Sequence, residues 1–141
     1  MYTIEPKKLI VSFTKDELME QLERLTAKTA EILATPQDIA IAPDLYCITP
    51  DDKDVVTDLL RQALDLLLPW CGKNGNCEQT DEKVTISVGK TLYLDRNAPL
   101  VEIRLRNLLV RRTMTLWYEL RGMKEEAKRQ NEITEGMMSS I

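Results

Sequence analysis

The sequence predicts a mainly α fold with a minor β part: a bundle of three main helices, a short β-hairpin and a long C-terminal helix. Three observations carry this. Long stretches repeat their apolar residues at helical spacing between recognisable start and stop residues. One short run, Val84-Thr-Ile-Ser-Val88, alternates as a strand does. From Asn97 onward the helical period continues to about Arg129 or beyond.

Residues 7–13, Lys-Lys-Leu-Ile-Val-Ser-Phe, are β-prone and stop at Thr14. Thr14 and Glu17 form a capping-box pair, so the first helix begins there and runs toward Thr35-Pro36. Leu18, Leu22, Leu25, Thr29, Ile32 and Leu33 share one face, with Glu20, Glu23, Arg24, Lys28 and Glu31 mostly opposite. Residues 36–50 contain three prolines and read as an irregular connection. The second helix starts at Thr49-Pro50, where Asp51, Asp52 and Asp54 complement the helix dipole, and ends at Pro69. Its apolar face is Val55, Val56, Leu59, Leu60, Ala63, Leu66 and Leu67. Gly72-Lys-Asn-Gly-Asn reads as a loop, and Gly89-Lys90 as a hairpin turn returning through Thr91 to Leu94.

The last helix opens at Asn97 with Pro99 in its first turn. Its apolar residues fall into two groups. Val101, Leu105, Leu108, Leu109, Leu116, Leu120 and Met123 make one broad face, and Ile103, Val110, Met114 and Trp117 make a second. Arg104 and Arg111 mark a boundary between them. Unbroken to Ser139, the helix would be roughly 60 Å long, against a domain diameter of about 40 Å. Either Gly122 breaks it and the tail folds back, or residues 123–141 form a polar helical extension that projects from a core of about 7–122. The second apolar face exceeds what one small domain needs, which points to a subunit contact at Ile103, Val110, Met114 and Trp117. Arginine and tryptophan are enriched in strong interfaces, although a mid-helix Trp117-Tyr118 also suits a core.

At 141 residues, 43% hydrophobic and 30% charged, the chain has the size and composition of one globular domain. With one Phe, four Tyr and two Trp, its core must be mostly aliphatic. The net charge of −4 is uneven: residues 1–95 carry 10 basic and 17 acidic side chains, net −7, and residues 96–141 carry 9 and 6, net +3. Attraction between the halves within one subunit is the simpler consequence, and head-to-tail attraction between subunits the other. No apolar run is long enough for a membrane span, and the N-terminus lacks a signal-peptide layout, so the expected location is cytoplasmic, or a virion for a phage-derived chain. Cys47, Cys71 and Cys77 fit thiols in a reducing compartment.

The chain offers little for catalysis. It contains no histidine, which removes the commonest general base and metal ligand. Gly89-Lys90-Thr91 lacks the glycine five residues earlier and the following helix that a phosphate-binding loop needs. The spacing of Cys71 and Cys77 is wrong for zinc, and the acidic start of the second helix is explained by its dipole. The expectation is therefore no catalytic residues, no cofactor and no metal. Arg104, Arg111 and Arg112 could grip nucleic-acid phosphates, but the arginines of this helix are interleaved with Leu and Val rather than set on one face.

The segment Pro99-Leu-Val-Glu-Ile-Arg-Leu-Arg-Asn-Leu-Leu-Val-Arg-Arg with Trp117-Tyr118 resembles the small helical head-tail connector (adaptor) proteins of tailed phages and prophages. The resemblance covers the C-terminal half and implies a ring-forming structural subunit. The function expected is a non-enzymatic assembly protein that forms homo-oligomers, or binds other assembly proteins, through Ile103, Val110, Met114, Trp117, Arg104 and Arg111. A nucleic-acid-associated accessory or regulatory protein is the alternative.

Overall fold

Between Lys8 and Thr14 the side chains alternate, so Leu9, Val11 and Phe13 point one way and Ile10 and Ser12 the other. In the computed structural model, which describes residues 1–33, 47–72, 75–89 and 96–139, this run is strand β2, following a short β1 (Tyr2–Ile4). The two remaining strands are β3 (Asn76–Gln79) and β4 (Lys83–Gly89). The sheet is antiparallel with order β1-β2-β4-β3. Its register sets Leu9 against Val88, Val11 against Ile86 and Phe13 against Val84, so the branched and aromatic side chains of the two central strands line one buried face.

Among the described residues four helices accompany the sheet: α1 (Lys15–Leu33), α2 (Lys53–Leu67), α3 (Ala98–Leu120) and α4 (Lys124–Ser139). The Thr14 hydroxyl caps α1, accepting the Glu17 N–H at 3.2 Å. A 3₁₀ turn at Pro50–Asp52 leads into α2, and there the Asp52 carboxylate accepts the Thr49 N–H at 2.9 Å. The connection between α1 and this turn is pinned at Ile48, whose N–H meets the buried Thr26 hydroxyl at 2.9 Å.

Helix α3 is the axis of the molecule. It packs most extensively on α4, then on α2, and also touches α1, β1 and β2. A helix covered from several sides must be apolar around most of its circumference. Leu105, Leu108 and Leu109 on one side and Val110, Met114 and Trp117 on the other are all fully buried.

Gly122 separates α3 from α4. Its φ of +74° is left-handed, and the Met123 N–H bonds the Tyr118 carbonyl at 2.9 Å while the Gly122 N–H bonds that of Glu119 at 3.1 Å. This is a Schellman end, which terminates a helix and reverses the chain. The broken helix therefore fits the domain, because its longer half is only about 35 Å long.

The mainly α, minor β expectation holds, with differences in detail. Among the described residues there are four helices rather than three, because the C-terminal helix is two. The helices lean on a sheet instead of forming a free-standing bundle. Residues 124–139 fold back on α3 instead of projecting. The hairpin is formed by β3 and β4 through Thr80–Glu82, with the Thr80 N–H bonded to the Lys83 carbonyl at 2.9 Å. Asn76, placed in a loop by its composition, opens β3. Lys90 of the expected turn, the returning strand at 91–94, the Thr35-Pro36 helix end and most of the 36–50 connection lie outside the described residues.

Candidate interface

The second apolar face is not surface. Val110, Met114 and Trp117 are 0% exposed, because this side of α3 is covered from within the chain: Arg106 and Asn107, which flank it, donate to Glu17 and accept from Gln21 of α1. Helical periodicity reports that two sides of α3 are covered. It does not report whether the cover comes from the same chain. Of the four apolar residues only Ile103 lies open, at 46%.

The arginines are drawn into the fold as well. Arg106 reaches Glu17 of α1 at 3.2 Å, and Arg121 stands 3.8 Å from Asp52 while its guanidinium lies 4.4 Å from the Trp117 ring centre. Both pairs join the basic C-terminal part to the acidic N-terminal part, so attraction between the halves operates inside one subunit. Arg111 donates to Gln130 at 3.1 Å, and Arg112 to Asn131 at 2.6 Å. Gln130 in turn donates to the buried Glu126 carboxylate at 2.9 Å. Arg104 and Arg111 are both half-buried. The α3–α4 seam is thus held by side-chain hydrogen bonds as well as apolar contact, and these arginines do not present one phosphate-binding face.

Two cavities flank that seam among the described residues. The larger, about 480 Å³, has Arg112, Lys124 and Lys128 around Leu116 and Ala127, with Glu119 as the opposing charge. The smaller, about 210 Å³, is lined by Leu66, Leu67, Arg112 and Met138 among others. The threonine hydroxyls lining them, Thr115 and Thr134, donate to the carbonyls of Arg111 and Gln130. No cluster of three or more His, Cys, Asp or Glu able to hold a metal occurs among the described residues, and no helix there is long and apolar enough to cross a membrane.

The exposed apolar surface lies elsewhere. Leu100 and Ile103, one turn apart on α3, are 42% and 46% exposed. Glu102, between them in sequence, lies 2.7 Å from the Met1 nitrogen, which sets this turn beside β1. Strand β1 is an edge of the sheet, and its Tyr2 and Ile4 are 40% and 46% exposed. Tyr2 and Ile4 pair with Val11 and Leu9, so they extend the apolar face of the sheet past the point where the helices stop covering it. Of this site sequence reasoning named Ile103 and missed Tyr2, Ile4 and Leu100. Tyr-Thr-Ile is too short to register as a strand, and Leu100 falls in the first turn of a helix where apolar residues are commonplace.

Compared with models of protein families, with curated proteins and with solved structures, the chain matches none.

Proposed function

We propose that this protein is a non-enzymatic structural subunit that self-associates, of the connector-like kind its C-terminal half resembles. Copies meet at the β1 edge and the adjoining turn of α3, instead of across Val110, Met114 and Trp117. The observation that carries the reading is the run of exposed Tyr2, Ile4, Leu100 and Ile103 at an open sheet edge. An edge strand offers unpaired N–H and C=O groups as a template for another strand, and no proline or bulge blunts β1. Apolar side chains around that edge supply the burial a contact needs.

Sedimentation of the full chain over a range of concentrations tests it. The wild type should sediment as a multiple of its 16.2 kDa mass. The double variant Leu100→Glu, Ile103→Glu should sediment as single chains with an unchanged circular dichroism spectrum, since both positions are exposed. High salt should leave the wild-type assembly intact, because the ion pairs Arg106–Glu17 and Arg121–Asp52 are within the subunit. A wild type that stays monomeric at every concentration overturns the proposal.

A further inference from the structure

Cys71 closes the 3₁₀ turn Leu68–Cys71 that follows α2, and Cys77 sits on the edge strand β3. Their sulfurs are 3.8 Å apart. The approach is built by the chain between them. Gly72 has a left-handed φ of +82°, and the Gly75 N–H returns to its carbonyl at 3.0 Å. A Cβ on Gly75 would lie 2.3 Å from the Cys71 Cβ, so glycine there lets the backbone fold directly over Cys71. Cys71 is fully buried and Cys77 half-exposed, so a small reagent reaches the pair from the Cys77 side.

We propose that Cys71 and Cys77 form a reversible dithiol–disulfide couple that, when oxidised by a hydroperoxide, fastens β3 to the end of α2. One sulfur of the pair, as its thiolate, attacks a peroxide oxygen; the O–O bond breaks and the departing hydroxide takes the proton that the thiol had released, leaving water and a sulfenic acid. The second sulfur attacks the first, the S–S bond forms, the S–O bond breaks, and a second water leaves with the remaining thiol proton. Two thiols and one peroxide give one disulfide and two waters. The sulfurs need close only from 3.8 Å to about 2.05 Å. The hydrogen bond between the thiols also favours a single negative charge on the pair: it lowers the Cys71 pKa and raises that of Cys77, which keeps the shared proton.

The test treats the full chain with hydrogen peroxide and reads intact mass, then maps peptides after alkylation. The expected result is a mass about 2 Da lower with residue 71 linked to residue 77, reversed by a thiol reductant. The unfolding midpoint of the oxidised form should rise by about 5 °C, since the cross-link restrains the unfolded chain. Cys71→Ser and Cys77→Ser should each abolish the mass loss. Full alkylation of both cysteines after peroxide, a disulfide through Cys47 or between chains, or a lowered unfolding midpoint overturns the proposal. The wild-type mapping decides the linkage even where a variant folds poorly.

Discussion

Replacing Met114 by alanine distinguishes a core residue from a contact between subunits. The Met114 side chain is fully buried on the side of α3 opposite Leu105. Truncation removes three heavy atoms from a close-packed site, and a buried Met→Ala change costs about 2–5 kcal/mol. With a urea slope of about 2 kcal/mol per molar, the unfolding midpoint falls by about 1–2.5 M. Trp117, one turn along the same face and also fully buried, reports the transition by fluorescence. The measurement is made at two protein concentrations well apart. A loss of this size, equal at both concentrations, belongs to the subunit's own core. The reasoning is refuted if Met114→Ala unfolds within about 0.5 kcal/mol of the wild type, the range of ordinary surface changes, or if its deficit appears only on dilution. Ile103→Ala, at an exposed position, should stay within that small range in the same assay when the chain is monomeric.

Three further outcomes follow from single groups. Gly122→Ala should destabilise by about 1 kcal/mol in thermal or urea unfolding, because the added Cβ meets nothing within 4 Å but must adopt φ +74°; an unchanged midpoint would contradict the Schellman end. Thr26→Val should cost about 1–3 kcal/mol, since it leaves the Ile48 N–H buried without the 2.9 Å acceptor it now has, and hydrogen exchange at that amide should speed up. Burial pushes the Tyr118 phenol from its ordinary 10.0 up to about 12. The unfolded chain therefore releases this proton first: stability from Tyr118 is intact below pH 10 and is lost as the pH rises to about 12, by up to about 2–3 kcal/mol. Tyr118→Phe should remove that slope, read as unfolding midpoints that no longer fall between pH 10 and pH 12.

Sequence patterns reached the local structure more surely than the arrangement. Thr14 stops a strand and caps a helix because one residue type serves both ends, and the Glu17 N–H confirms the geometry. The acidic entry to α2 was equally plain, with Asp52 folding back on Thr49. Strand β4 was legible from the alternation of Val84, Ile86 and Val88, yet its partners were not. Alternation says that one face is buried and says nothing about which segment pairs beside it. Leu9, Val11 and Phe13 come from more than 70 positions earlier, and β3 is four polar-looking residues, Asn-Cys-Glu-Gln, whose strand state depends on the neighbour they pair with.

The same distinction governs the candidate interface. A residue's period along α3 identifies sides that need cover, so Val110, Met114 and Trp117 were correctly read as apolar contact and misassigned in partner. Their cover comes from within the chain, since Arg106 and Asn107 on either side of that face meet Glu17 and Gln21 of α1, while the Schellman end at Gly122 returns α4 along a different side of α3, where Gln130 and Asn131 reach Arg111 and Arg112. Arg106, Arg111 and Arg112 are thereby engaged within the chain, while Lys124, Lys128 and Arg129 of α4 stay exposed. Exposed apolar side chains occur in several places, Leu120, Leu66 and Leu68 among them, and at the N-terminal end of α3 Ile103 and Leu100 stand beside an unpaired strand edge. The proposed self-association therefore rests on strand pairing and apolar burial at this edge, with the ion pairs Arg106–Glu17 and Arg121–Asp52 acting inside the subunit.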